Sequence, residues 1–378
     1  MATLWNEREN MAAAHGDFII YYSGAQIFLD GKGKSLYDFN TQKVYQDTFK
    51  IPFRTDPLPY NHPPYQLLLF VPLTLFPYAY AFMIWGIVNC ILLATMIWLL
   101  SPLVDAKNRV LGALLGGAFF PVITAFWQGQ DSILSAFLLS VVIRNLKGRR
   151  DRLAGLTLAL GLYKPQLVLP IALFFAARGH WASFLTFTAT GSCLVVISIL
   201  MIGWDGALQY ISLLRWMDNT HYTIDPLNMA NLRGAFENLK MVGLPDGFVD
   251  FTMLLSSIGV FYLSISLGKA HVRLDGATTD LRMAQLVVVT ILVSYHLYVH
   301  DLTLLIIPLM VCFNRDGTAG TSVMTAVPLI TLVALSMPVV EMLLSQRLLS
   351  WAAFGLMALL FVFSRELCRA NSSGEKWR

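Results

Sequence analysis

Residues 292–308, LVSYHLYVHDLTLLIIP, set two histidines and an aspartate, His296, His300 and Asp301, into an otherwise apolar stretch. An ionisable side chain at the centre of a bilayer costs about 2.5–3.5 kcal/mol on insertion scales, so such groups persist where they face water, protein or a ligand. Comparable polar residues recur far away in the chain: Asp17, Tyr22, Tyr60 and His62, then Gln128, Gln130 and Asp131 in WQGQD, Lys164 in GLYKPQ, and Arg233 in NLRG. An acid, several cations and aromatic rings converging at one membrane face would suit an anionic substrate carried on a lipid. Lysine offers phosphate a point charge and arginine a two-pronged fork, aromatic rings cover sugar or acyl faces, and a carboxylate can take up a proton.

Each residue alone also admits a plainer reading. Lys164, next to a proline in a short helix, could snorkel to the interface. His296 and Asp301 could form a hydrogen-bonded pair that tethers two helices. Asp131 stands where a helix should begin, and Asp17 just before another, so both could cap helix N-termini.

The elements that position these groups follow from composition. Of 378 residues 56% are hydrophobic and 13% charged, against about 25% charged in ordinary soluble domains, and the mean hydropathy is +0.60. This is the composition of a polytopic membrane protein. Apolar runs near 79–101, 109–127, 181–203, 247–268, 321–340 and 346–364 are each long enough to cross about 30 Å of hydrocarbon as a helix. Shorter runs at 131–146, 283–299 and 302–313 need neighbours to cover them. The pattern is helical and not that of an alternating barrel, so the expected fold is all-α, with about ten transmembrane helices. Cys90, Cys193, Cys312 and Cys368 form no CxxC pair, which argues against a disulfide framework or a zinc site. The net charge of +4 is scattered and gives no basic stripe for nucleic acid.

Lys and Arg accumulate on the cytoplasmic flanks of membrane helices. RNLKGRRDR at 144–152 has five basic residues and one acidic, and the tail from Ser364 has four and two. Residues 107–109 and Lys269–Arg282 lean the same way, whereas 204–246 has three basic and five acidic residues. Alternating the crossings from these anchors puts WQGQD, the 204–246 loop and the His296–Asp301 cluster on the extracytoplasmic face. The segment 153–176 has basic residues at both ends, so it should go in and return, as two short helices meeting at Tyr163-Lys164-Pro165-Gln166. The stretch 17–64 reads as a first outer loop with an amphipathic helix near 17–29, and 63–77 as interfacial or re-entrant. The expected organisation is a polar segment 1–16, one transmembrane domain over 17–364 and a cytoplasmic tail 365–378. Residues 1–16 contain no spanning segment yet precede an outer loop, so either the N-terminus is translocated or a helix is missing. No internal repeat is visible.

In order, DFIIYYSGAQIFLDGKGKSLYD, PYNHPPYQLLLFVPLTLFP, WQGQDSILSAFLL, GLYKPQLVLP, MANLRGAF and SYHLYVHDLTLLIIP resemble glycosyltransferase family 87 over most of residues 17–310. These are C-type (GT-C) membrane enzymes, alpha-mannosyltransferases that depend on polyprenyl-phosphate-mannose. The resemblance implies transfer of a hexose, mannose first, from a polyprenyl-phosphate-sugar donor to a glycolipid or glycan acceptor. It implies inversion at the anomeric carbon, an extracytoplasmic site, a bacterial plasma (inner) membrane and no metal or other cofactor. It makes Asp17 the catalytic base and His296 the contact to the donor phosphate, with Lys164 and Arg233 as companions. Tyr22, Tyr60, His62, Gln130 and Asp131 would support the site, and His300 and Asp301 would orient His296. Two departures stand out: the family's membrane helix before the catalytic acid is not there, and Tyr295 replaces a frequent proline. A transporter or flippase of lipid-linked sugars, or the same fold with another sugar such as arabinose, remains the alternative. A transporter would spread ionisable groups through the bilayer depth; an enzyme would gather them at one face.

Overall fold

The computed structural model describes residues 16–49, 56–103, 117, 119–222, 225–266, 278–312, 330–331 and 334–372. Among them there is no strand, and the chain is an all-α membrane protein. Its helices are α1 Phe18–Leu29, α2 Phe39–Asp47, α3 Leu67–Phe70, α4 Tyr78–Leu100, α5 Phe120–Gln128, α6 Ser132–Lys147, α7 Asp151–Leu160 and α8 Pro165–Ala177. Then come α9 Trp181–Thr220, α10 Leu232–Met241, α11 Asp246–Ser266, α12 Thr279–Val293, α13 Ile306–Cys312, α14 Met337–Ser345 and α15 Ala352–Ser372. Four stretches are long and apolar enough to cross a membrane: Tyr78–Leu100, Trp181–Thr220, Asp246–Ser266 and Leu349–Arg369. They coincide with the runs at 79–101, 181–203, 247–268 and 346–364. Of the run at 109–127 residues 117 and 119–127 are described, with α5 over Phe120–Gln128, and of the run at 321–340 more than half lies outside the described residues.

The chain divides into two compact units. The first comprises residues 1–91, 125–131 and 189–224; the second comprises 92–124, 132–188 and 225–378.

In the first unit α1 forms as expected, but it is not amphipathic. Phe18, Ile19, Ile20, Tyr21, Tyr22, Ser23, Gly24, Ala25 and Ile27 are all buried, because α2 and the irregular turns at 64–75 pack around it. A Cβ on Gly24 would meet Leu67 at 3.1 Å and Tyr60 at 3.3 Å. Tyr21 stacks on Phe70 with centroids 4.5 Å apart, and Phe70 in turn tilts against Trp85 at 4.9 Å. Two glutamines of α2 tie down the segment ahead of the turns. Gln42 accepts from the backbone N–H of Tyr60 at 2.6 Å, while Gln46 both donates to and accepts from Leu58.

The region 204–246, expected as a loop, is mostly helical where described. After a break at Gly203, whose φ of 73° suits glycine, helix continues to Thr220. Aromatic packing explains why: Tyr210 lies 4.6 Å from Tyr37, while Trp216 and Tyr222 stand edge-on to Phe39 at 5.5 and 5.6 Å.

In the second unit α6 and α7 form a hairpin. The segment 151–177 is two short helices joined at Lys164, as its proline predicts: a turn at Gly161–Tyr163, then Pro165 at the first position of α8. Pre-proline sterics keep Lys164 out of the helical region, with φ −122° and ψ 76°. A Cβ on Gly155 would fall 2.1 Å from the Ser183 carbonyl oxygen, so only glycine permits that close approach. Helix α12 is buried on all sides from Leu281 to Leu292, packed by α8, α11, α13 and α15. Such a helix has no face for lipid or water, which accounts for its apolar run without amphipathic period.

Candidate active site

The first unit holds two polar clusters on one turn. Helix α5 ends in a Schellman motif: Gly129, with φ 64°, takes the left-handed position, its N–H bonds Phe126, and the N–H of Gln130 bonds Ala125 at 2.8 Å. Trp85 Nε1 donates to the Gly129 carbonyl at 2.9 Å. A Cβ on Gly129 would lie 2.7 Å from that of Phe18, so WQGQD and the start of α1 meet closely because the residue is glycine. That approach lets Gln130 Nε2 donate to Asp17 Oδ2 at 2.5 Å, while Tyr21 donates to Gln130 Oε1 at 3.1 Å. Asp17 occupies the N-cap position of α1, yet makes no side-chain capping bond. The capping explanation of Asp17 therefore fails.

Asp131 turns the other way. It is fully buried, accepts from Gln66 Nε2 at 2.6 Å, and lies 3.8 Å from His62 Nδ1. His62 is flanked by the rings of Tyr21 at 5.4 Å and Tyr60 at 5.9 Å. The hydroxyls of the two expected supporting tyrosines serve the fold: Tyr22 donates to the Phe76 carbonyl at 2.8 Å and Tyr60 to that of Pro63 at 3.0 Å. Burial raises the Tyr60 hydroxyl well above its ordinary range, consistent with a permanently neutral donor.

The second unit gathers the remaining candidates on the connection from α12 to α13. Helix α12 ends at Ser294, whose ψ of 130° turns the chain out. Asn231 fixes that turn by donating to the Ser294 carbonyl at 2.7 Å while its Oδ1 caps α10 through Gly234 N–H at 3.0 Å. The bend that Tyr295 put in question therefore forms without proline. Arg233, the second residue of α10, donates to the Tyr295 carbonyl at 3.0 Å and lies 3.9 Å above the Tyr295 ring. The main chain of His296 is pinned by Ser294 Oγ at 2.8 Å and Gln166 Nε2 at 3.3 Å.

Lys164 does not snorkel. It is 5% exposed, and donates to Asp301 Oδ1 at 2.6 Å and to Ser132 Oγ at 3.0 Å. Ser132 donates to the same carboxylate oxygen at 2.8 Å, and the other oxygen accepts the Tyr298 N–H at 3.2 Å and lies 3.6 Å from His300 Nε2. Asp301 is thus held by Lys164 and Ser132, not by a bond tethering it to His296. Ser294 and Gln166 hold the His296 main-chain carbonyl, not its ring. Among the described residues the His296 imidazole makes no hydrogen bond and stands edge-on to Tyr298 at 4.8 Å. Its ordinary value near 6.5 is lowered to about 4, first by burial, with Arg233, His300 and Lys164 adding to the fall and Asp301 opposing it. At neutral pH it is an uncharged ring with one N–H to donate.

The structure therefore brings together Asp17 with Gln130, His62 with Asp131, and Lys164 with Asp301 and His300 beside His296 and Arg233. Ser132, Gln66, Asn231 and Tyr21 were not singled out from the sequence. Gln66 carried a signal, being polar within the apolar run 63–77; Ser132 carried none.

The glycosyltransferase family 87 model matches residues 60–295. That span contains His62, Gln130, Asp131, Lys164 and Arg233, ends one residue before His296 and begins well after Asp17. The chain is also 25% identical over 270 residues to a polyprenol-phosphate-mannose-dependent alpha-(1-2)-phosphatidylinositol pentamannoside mannosyltransferase of Mycolicibacterium smegmatis, covering 69% of this chain and 61% of that relative. The chain thus spans about three-fifths of the relative's length. No solved structure matches it. With the family match covering more than half of its length, the chain belongs to glycosyltransferase family 87.

Proposed function

We propose that the protein is a membrane glycosyltransferase that moves a hexose, mannose first, from a polyprenyl-phosphate carrier to a glycolipid acceptor on the extracytoplasmic face of a bacterial plasma membrane. The observation that carries this reading is the gathering of Arg233, Lys164, His300 and Asp301 around a half-buried His296 whose ring stands edge-on to Tyr298 and makes no hydrogen bond among the described residues. The relative's mannose donor and phosphatidylinositol-based acceptor support the choice of substrates.

In this reading the acceptor hydroxyl oxygen attacks the anomeric carbon, its proton passes to the Asp17 carboxylate, and the anomeric C–O bond breaks toward phosphate. Attack from the face opposite the leaving group inverts configuration. The breaking bond leaves its electron pair on the polyprenyl phosphate. Cations and N–H donors already in place lower that barrier, because they need no reorganisation as charge develops. Lys164, although paired with Asp301, Arg233 and the His296 N–H are the groups we assign to the phosphate.

With its value lowered to about 4, His296 keeps one charge state between pH 6 and 8. We expect His296→Gln, which keeps a donor, to retain at least about a tenth of the transfer rate, and His296→Ala to lose about 10²-fold or more. The ratio of mutant to wild-type rate should stay flat from pH 6 to 8 in a membrane transfer assay. A wild-type rate that His296→Ala leaves unaltered would remove the histidine from donor binding.

A further inference from the structure

We infer that Gln130 is a positioning residue for Asp17 and that Tyr21 sets its direction, the three forming a relay that aims one carboxylate oxygen at the acceptor hydroxyl. The inference rests on the reading of Asp17 as the base. A glutamine amide presents two chemically opposite ends, and here both are assigned by their partners. Oε1 accepts from the Tyr21 hydroxyl at 3.1 Å, and Nε2 donates to Asp17 Oδ2 at 2.5 Å. Turning the amide over would set its carbonyl oxygen against the carboxylate, losing that bond and adding repulsion, while the Tyr21 hydroxyl would have to rotate to accept from the NH₂.

Every part of the relay is fixed from behind. Gln130 is 5% exposed and Tyr21 fully buried. Tyr21 is clamped by stacking on Phe70. The Gln130 backbone is held by the left-handed turn at Gly129 and its bond to Ala125, and that turn by Trp85. Asp17 itself is one residue outside α1 and makes no cap bond, so the amide is the contact that fixes its plane. Because Oδ2 accepts from Gln130, and Oδ1 accepts no hydrogen bond among the described residues, Oδ1 is the oxygen placed to receive the proton. A carboxylate free to rotate would offer either oxygen in many orientations, and misplacement of a reacting group by about 1 Å can cost about 10²-fold in rate.

The test measures kcat and the donor KM of the full chain reconstituted in lipid for Gln130→Glu, Gln130→Ala, Tyr21→Phe and the Tyr21→Phe/Gln130→Ala pair. Gln130→Glu keeps shape and volume but replaces the N–H donor with a second acid, so the relay predicts kcat lower by about 10²-fold with donor KM within about threefold. Tyr21→Phe should lower kcat by about three- to tenfold, because the amide loses the bond that orients it. The pair should be no slower than Gln130→Ala alone, since both changes remove the same function. Wild-type kcat in Gln130→Glu, losses that multiply in the pair, or losses matched by loss of folded protein would overturn the relay. Failure of the underlying reading looks different: Asp17→Asn would then itself transfer sugar at the wild-type rate.

Discussion

Asp17→Asn should abolish sugar transfer in membranes supplied with radiolabelled polyprenyl-phosphate-mannose, while leaving the amount of folded protein unchanged. The side chain is not needed to start α1, where it makes no capping bond, so the usual penalty of about 1 kcal/mol for removing a cap does not apply. Asparagine can still accept from Gln130 through its oxygen, so the local packing with Phe18 and Gly129 survives. What it lacks is the capacity to take a proton, and general-base assistance contributes about 10²–10⁴-fold. Liquid-scintillation counting of the glycolipid fraction reads the loss directly, and detergent-extracted protein on a sizing column reads the fold. Transfer by this variant at the wild-type rate would remove Asp17 from the reaction.

Lys164→Met is expected to have an equally large effect, at first on the fold. It leaves Asp301 buried with its ammonium partner gone, and breaking a buried pair from one side costs about 3–5 kcal/mol, a large fraction of the stability of most domains. Folded protein recovered from membranes should fall severalfold. In Lys164→Met/Asp301→Asn no uncompensated charge remains, and asparagine can keep a bond to Ser132 or to the Tyr298 N–H, so folded protein should return. Transfer should nonetheless stay about 10²-fold low, since a cation beside the departing phosphate is missing. Recovery of transfer along with folding would make the pair a structural lock and no more.

The two variants show what a sequence can and cannot display. The long apolar helices, the turn at Lys164-Pro165 and the helix before Leu29 were readable because hydrophobic run length and proline chemistry act locally. The burial of α1 on every side was not, since it depends on the turns at 64–75 folding back over it. The candidate polar residues were visible as exceptions within apolar sequence, but their partners were not. Nothing in the order of residues joins Lys164 to Asp301, 137 positions away, or Gln130 to Asp17, 113 away. Sequence order likewise does not show that the hydroxyls of Tyr22 and Tyr60 donate to carbonyls of the turns beside them. Three consecutive residues divide the labour: Gln130 bonds Asp17, Asp131 bonds Gln66, and Ser132 bonds Asp301 and Lys164.

The most direct measurement follows a radiolabelled polyprenyl-phosphate-mannose, with membrane glycolipid as acceptor, in liposomes containing the purified chain. The account predicts that label leaves the polyprenyl carrier and appears on glycolipid with inverted anomeric linkage, and that this requires the carboxylate at position 17. Label that crosses the bilayer still attached to its carrier, equally fast with wild type and Asp17→Asn and with none on glycolipid, would contradict it.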